Sequence, residues 1–183
     1  MKGVVFAEFL EMVEDHFSPE IADLIIEASD LPSGGAYTSI GTYDHTEMVR
    51  LVTQLSVATG VAVPGLMHTF GKYLFSRFVV LYPQLFEDVG SAYSLLERID
   101  DTIHVEVLKL YPDAELPRFE CIASEPGRLT IIYRSTRGFA DLAAGLIDGC
   151  IEHFGENIDV QREDLSGGQG TWVRFSLTQQ ESS

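Results

Sequence analysis

The chain has 183 residues, of which 45% are apolar and 10% aromatic, and these proportions exclude a disordered or fibrous protein. Twelve lysines and arginines stand against 28 aspartates and glutamates, and the net charge of −16 argues against nucleic acid or anionic lipid as a partner. No apolar run approaches the roughly 20 residues of a membrane span and no signal-peptide pattern is present, so we expect one cytoplasmic domain.

The first 111 residues carry apolar side chains at the spacing of amphipathic helices. Ser18, Asp44 and Ser91 each precede such a stretch and are typical N-cap residues. A short extended piece is expected at residues 37–43. The pattern predicts five helices, at about residues 3–16, 19–28, 44–60, 64–81 and 91–111.

From residue 118 the pattern changes to that of strands, because apolar and polar side chains alternate. Pro126 and Gly127 are turn residues and predict a hairpin between strands at about 118–123 and 128–135. A regular helix is expected from about Phe139 to Gly155, and two more strands follow at about 158–162 and 172–177. The predicted fold class is α+β, with a helical N-terminal part before a roughly four-stranded antiparallel sheet that has one inserted helix.

Three polar side chains, Tyr133, Ser135 and Arg137, come at two-residue spacing where the predicted strand at 128–135 ends. Alternate residues of a strand point to the same face, so these three are expected to converge. A phenol, a hydroxyl and a guanidinium together suit an anionic, oxygen-rich group. A strand end that frays into solvent is the other interpretation of these residues taken alone.

His104 lies where the predicted helix at 91–111 changes from a charged to an apolar stretch. A hydrogen-bonded histidine of the core is the ordinary interpretation of such a residue. A single imidazole on an apolar helix is also the usual proximal ligand of a haem iron, and a Tyr/Ser/Arg trio can hold the haem propionates.

His104, Pro117 and the motif Tyr133-x-Ser135-x-Arg137 resemble the haem-nitric oxide/oxygen binding family, the H-NOX domains, in its stand-alone bacterial type. The resemblance covers nearly the whole chain, since residues 1–3, 70–73 and 118–121 also fall in similar order and spacing. It implies iron protoporphyrin IX (haem) as the cofactor, His104 as the iron ligand, the three motif residues as propionate ligands, and Pro117 as a residue that presses on the macrocycle.

The resemblance further implies a single haem-binding sensor domain over residues 1–183. A distal helical subdomain would occupy about residues 1–60 and a proximal subdomain about residues 61–178, with the haem between them. Residues 179–183 are polar and are expected to form a loose tail.

The resemblance also bears on the choice of gas. Oxygen-binding members use a tyrosine five residues after the motif's arginine, and this chain has Leu142 there. Iron-bound oxygen gathers negative charge and needs a hydrogen-bond donor, whereas nitric oxide does not, so we expect binding of nitric oxide and carbon monoxide without a stable oxygen complex. An inward-pointing Tyr73 or His68 would reverse this expectation. The other positions that resemble the distal wall are all apolar: Val5, Phe9, Leu74, Phe78 and Leu146.

The resemblance implies that nitric oxide can break the bond between iron and His104, after which the helix would shift and the haem would relax against Pro117. The sequence contains no kinase, cyclase or DNA-binding motif, so we expect a sensor rather than an enzyme. The resemblance implies a partner in trans, a bacterial histidine kinase or a diguanylate cyclase/phosphodiesterase. The alternatives are an oxygen-binding haem sensor, a peroxidase-like haem enzyme, and a non-haem module that binds another carboxylate ligand.

Overall fold

A computed structural model describes residues 1–180, apart from the side chains of residues 123 and 124. It has helices in the first half and a four-stranded sheet in the second, as the sequence predicts. The helices are α1 (Gly3–His16), α2 (Pro19–Ala28), α3 (His45–Thr59), α4 (Val63–Leu81), α5 (Ala92–Leu96), α6 (His104–Leu110) and α7 (Ala140–Phe154). The strands are β1 (Arg118–Glu125), β2 (Arg128–Arg134), β3 (Ile158–Asp164) and β4 (Trp172–Gln179).

The predicted helix starts are confirmed by their caps. The Ser18 side chain accepts a hydrogen bond from the backbone of Ile21, and Asp44 accepts one from Thr46. Ser91 forms a reciprocal capping box with Ser94. Residues 37–43 form no strand, because their only ladder contact is the single bridge between Lys2 and Thr42.

The prediction of one helix over residues 91–111 is wrong. The segment divides into α5, a five-residue π-helical turn (Ile99–Ile103) and α6, which begins at His104. The π turn inserts an extra residue into the helical repeat, so the buried faces before and after it do not align. The carboxylate of Asp100, inside this turn, accepts a hydrogen bond from the backbone N–H of Phe119 in β1 (3.0 Å), which ties the break to the sheet.

The sheet has the order β1-β2-β4-β3, and all neighbouring strands are antiparallel. β3 and β4 run two residues beyond their predicted ends. Gln179 closes β4 and donates to the carbonyl of Gly127 (2.8 Å), and Gln180 donates to that of Asn157 (2.8 Å), so these two residues are not a loose tail. The rest of the predicted tail, residues 181–183, lies outside the described residues.

Two hydrophobic cores meet along the crossing of α4 and α7. One lies among α1–α4, the other between α7 and the sheet, and Leu146 of α7 packs against both. The two helices touch through glycine: a Cβ placed on Gly145 would lie 2.0 Å from the carbonyl oxygen of His68 and 2.9 Å from the Cα of Gly71. This close approach brings the two halves of the chain into one body around a shared cavity.

Within residues 1–180, no single helix is long and apolar enough to cross a membrane. Helices α3 and α4 reach the required length and hydropathy only as a pair, and the chain bends by 112° between them.

Candidate functional site

A cavity of about 1070 Å³ lies between the two halves of the molecule. Its wall is formed by the start of α1, the segment before α3, the second half of α4, the segment from α4 to β1, the end of β2 with the turn after it, α7 and the start of β4. Ligand pockets in proteins are typically about 300–1,000 Å³, mostly apolar, with a few polar groups that orient the ligand. The cavity therefore has the size and lining of a site for a large, flat or bulky apolar group.

His104, the first residue of α6, is on this wall and its side chain is only 17% exposed. Its Nδ1 lies 2.9 Å from Oδ1 of Asp100, which leaves Nε2 as the ring nitrogen available to a ligand. The pair is close but poorly aligned for a hydrogen bond, so Asp100 Oδ1 has no well-aligned donor among the described residues. Burial lowers the pKa of His104 although the Asp100 carboxylate opposes this shift, so the imidazole is neutral at pH 7, the form that binds metals.

Tyr133, Ser135 and Arg137, here called the clamp, all line the cavity. Only Tyr133 reaches it from a strand, because β2 ends at Arg134 and not at residue 135 as predicted. Ser135 and Arg137 belong to the following turn, in which the Ser135 hydroxyl oxygen accepts the backbone N–H of Arg137 (3.1 Å). The three side chains thus converge, although they do not share one strand face.

The two ends of the clamp differ in their surroundings. The Tyr133 side chain is nearly fully buried, and burial raises the pKa of its phenol, which keeps the hydroxyl a donor at neutral pH. The Arg137 guanidinium is 13% exposed; it pairs with the Glu115 carboxylate and donates to the Glu115 carbonyl oxygen (3.2 Å). Glu115 and the predicted macrocycle contact, Pro117, lie in one cavity-lining segment between α6 and β1.

Five of the six residues predicted for the distal wall do line the cavity: Val5, Leu74, Phe78, Leu142 and Leu146. Phe9 does not, because it is fully buried in the helical core, where its ring packs edge-on against Phe70 (centroids 5.1 Å apart). Helical spacing could not separate a residue on the cavity wall from one in the core behind it.

Tyr73 and His68 do not point into the cavity. The Tyr73 hydroxyl donates to the Asp15 carboxylate (3.1 Å), and His68 Nε2 lies 2.7 Å from the Asp148 carboxylate of α7. Both side chains therefore make polar contacts on the other faces of α4.

Polar groups on the wall that sequence reasoning missed lie at the far end of α6. The hydroxyls of Tyr82 and Tyr111 are 2.9 Å apart and join the ends of α4 and α6. Lys2 Nζ donates to Thr42 Oγ1 (2.8 Å) and to both carboxylate oxygens of Asp113 (2.9 and 3.1 Å), and it lies 5.4 Å from the centre of the Tyr111 ring. We call Lys2, Thr42 and Asp113 the Lys2 clasp. Its members are far apart in the chain, so no local signal identifies it.

Comparison with known proteins gave one family model, described as haem-NO-binding, that matches residues 2–162. The solved Fe(II) unliganded H-NOX protein from K. algicida is 40% identical, with a TM-score of 0.93 over 100% of this chain and 98% of that chain. The H-NOX from Shewanella woodyi, bound to IWP-051 in the Fe(II)CO state, is 40% identical, with a TM-score of 0.84 over 98% of this chain and 95% of that one.

The H-NOX protein from S. oneidensis in the Fe(II)NO state is 23% identical, with a TM-score of 0.92 over 99% of this chain and 100% of that chain, and this likeness shows the fold alone. A comparison with curated protein sequences gave no match.

Proposed function

Because the chain belongs to the haem-NO-binding family, whose solved members are called H-NOX proteins, we propose that it senses nitric oxide through a haem held by His104. The family is one of haem-based gas sensors, and haem is its cofactor. The observation that carries the proposal for this chain is the position of His104, whose side chain is 17% exposed, on an apolar cavity that the clamp also lines.

The residues present fit haem by their chemistry. Neutral imidazole is a common ligand of haem iron, and the Asp100 carboxylate, 2.9 Å from Nδ1, is close enough to orient the ring once the two groups align, as a carboxylate does for many metal-bound histidines. The hydroxyls of Tyr133 and Ser135 and the guanidinium of Arg137 are donors suited to two propionate carboxylates. Pro117, which lines the cavity, would contact the macrocycle.

The transmission of a signal is proposed to begin at His104. When bound, haem would supply a ferrous iron able to bind the gas, and His104 would be the protein ligand whose bond to that iron nitric oxide could weaken. Release of His104 would free α6, because none of its seven residues is fully buried. The helix would then be held by the Asp100 contact at one end and by the tyrosine pair and Lys2 clasp at the other, which gives a segment with two arrangements.

The proposed ligands are nitric oxide and carbon monoxide, without a stable oxygen complex. Leu142 stands on the cavity wall where oxygen-binding relatives have a tyrosine. Tyr73 and His68, the two polar residues that would reverse the expectation, make contacts elsewhere. These placements support an apolar gas site.

The signalling part of the proposal concerns domains and partners. We propose a distal subdomain at about residues 1–60 and a proximal one at about 61–178; the presence of two hydrophobic cores supports a division into two parts, although the helical core also includes residues of α4. We propose that gas binding changes the conformation of the sensor and that a separate effector protein reads this change. The resemblance favours a histidine kinase or a diguanylate cyclase/phosphodiesterase in the cytoplasm, with no catalytic role for this chain.

The test is the absorption spectrum of the reduced, haem-supplied protein, alone and with nitric oxide, carbon monoxide and oxygen. His104→Gly should lose the wild-type ferrous spectrum and regain it when imidazole is added. His68→Gly is the matched control, because His68 is also a histidine near a carboxylate but lies outside the cavity wall. A wild-type spectrum of His104→Gly without imidazole would refute the ligand assignment, and failure of the wild type to take up haem would favour the non-haem module.

A further inference from the structure

We propose that Asp164 is a positioning residue for the clamp: it folds the loop at residues 165–171 against the turn that carries Ser135 and Arg137. This inference rests on the proposed function, since it takes the haem propionates as the clamp's ligand. Asp164 is the last residue of β3 and does not line the cavity. Any effect on the cofactor must therefore pass through the loop.

The Asp164 carboxylate is the centre of the loop's hydrogen bonds. One oxygen accepts both the backbone N–H of Ser166 (2.7 Å) and its hydroxyl (2.6 Å), and the other accepts the backbone N–H of Gly170 (3.0 Å). The hydroxyl and the backbone N–H of Ser166 lower the pKa of Asp164 below its ordinary value, so the carboxylate is charged at neutral pH. A charged acceptor with three donors makes strong bonds across the two ends of the loop.

The same loop contacts the clamp turn at two points. The carbonyl oxygen of Thr171 accepts the backbone N–H of Ser135 (2.9 Å). The backbone N–H of Thr171 in turn donates to Ser166 Oγ (3.1 Å), so Ser166 links Asp164 to Thr171. A continuous chain of hydrogen bonds therefore runs from Asp164 to the backbone of Ser135.

The second contact is at Gly138, the residue after Arg137. It has a positive φ of 61°, and a Cβ there would lie 2.7 Å from the carbonyl oxygen of Gln169. The loop backbone thus fills the space beside the turn and limits where Arg137 can move. Within the turn, the Ser135 hydroxyl oxygen also accepts the backbone N–H of Arg137, so displacement of the loop would disturb two of the three clamp residues.

The loop needs an anchor because of its composition. Three glycines in it, Gly167, Gly168 and Gly170, have positive φ values of 68°, 91° and 62°. Glycine loses more conformational freedom on folding than any other residue, so this loop is costly to order without fixed partners. The carboxylate of Asp164 supplies three of those partners at once.

The test separates positioning of the clamp from support of the fold by using two cofactors. Ferric haem and haem dimethyl ester differ only at the propionates, which the ester blocks. Each is loaded into the wild type, Asp164→Ala and Asp159→Ala, and its release to excess apomyoglobin is timed. Asp159 is the matched control, since it lies on the same strand and, among the residues that the structure describes, its carboxylate accepts a hydrogen bond only from the side chain of Gln161 (3.3 Å).

We expect Asp164→Ala to release haem about tenfold faster than the wild type, the effect of one charge-assisted hydrogen bond, with the release of the dimethyl ester unchanged. Asp159→Ala should match the wild type with both cofactors. Faster release of both cofactors from Asp164→Ala would overturn the inference, because the residue would then only support the fold. Unchanged release of haem would overturn it as well.

If the wild type releases haem and the dimethyl ester at the same rate, the clamp does not hold the propionates, and both the proposed role of the clamp and this inference are refuted. This outcome differs from a failure of Asp164 alone, in which the wild type still releases haem more slowly than the ester. If Asp164→Ala does not fold, Asp164→Asn gives the same comparison. An amide keeps the size of the side chain but can offer only one acceptor oxygen to Ser166 and Gly170.

Discussion

The glycine contact between α4 and α7 makes a quantitative prediction for Gly145→Ala. The new Cβ would lie 2.0 Å from the carbonyl oxygen of His68, and the atoms on both sides are backbone, so no side chain can rotate away. Ordinary contact distances of about 3.5 Å require the helices to separate by about 1.5 Å. Overpacking a core lowers the free energy of unfolding by about 1–3 kcal/mol. We expect a loss of about 3 kcal/mol here because the contact between α4 and α7 lies where both hydrophobic cores meet.

Gly65→Ala is the matched control. Gly65 lies in α4, and a Cβ there would meet nothing closer than Val61 Cγ1 at 3.7 Å. The same change should therefore stabilise the protein by about 0.5–1 kcal/mol through helix propensity.

The assay is urea unfolding of the haem-loaded proteins followed by far-UV circular dichroism, at one protein and one cofactor concentration. With a slope of about 2–3 kcal/mol per M, Gly145→Ala should unfold at about 1–1.5 M less urea than the wild type, and Gly65→Ala at slightly more. Equal unfolding midpoints for Gly145→Ala and the wild type would refute the close packing of α4 against α7. So would a parallel loss in Gly65→Ala, which would point to a general intolerance of alanine.

Three further predictions concern the cavity wall, the Lys2 clasp and the segment before His104. Leu142→Tyr should give the reduced protein an oxygen complex that the wild type lacks, because it adds a donor to the wall, and the spectrum in air tests this. Hydrogen bonds from Thr42 and Lys2 lower the pKa of Asp113 from 3.8 to about 2. These bonds therefore contribute fully to the stability of the folded protein above pH 3.8, and their contribution is lost as the pH falls through about 2. Asp113→Asn should remove this acid dependence from Tm measured against pH; an unchanged profile would contradict it. Ser91→Ala should cost about 1 kcal/mol in urea unfolding through loss of the α5 cap, and an unchanged midpoint would show that the cap is not needed.

The features that the sequence predicted depend on neighbours in the chain. Helix caps such as Ser18 and Asp44 act on residues two or three positions away, and the alternation of strands is equally local. The convergence of the clamp was predicted from spacing, although two of its members use a turn whose shape depends on Gly138 and the distant loop at 165–171.

The features that the sequence did not predict depend on contacts between distant segments. The π turn before His104 involves a hydrogen bond from the backbone N–H of Phe119 to the Asp100 carboxylate, and the Lys2 clasp joins residues 111 positions apart. Phe9 has the same apolar character as the wall residues, and only the packing of α1 against α4 turns it towards Phe70. The type of a residue and the spacing of apolar residues along the chain carry no information on such contacts between distant segments.

The exposed position of α6 has a consequence for the dynamics of the protein. None of its seven residues is fully buried and a π turn precedes it, whereas α4 and α7 each contribute several buried side chains. Local opening needs least free energy where few apolar contacts must break, so backbone amides in α6 should exchange with deuterium far faster than those of α4 or α7. Under the proposed ligation, the bond between His104 and iron would anchor α6 in the way that buried side chains anchor the other helices. Protection of the α6 amides from exchange would then report directly on whether that bond is made.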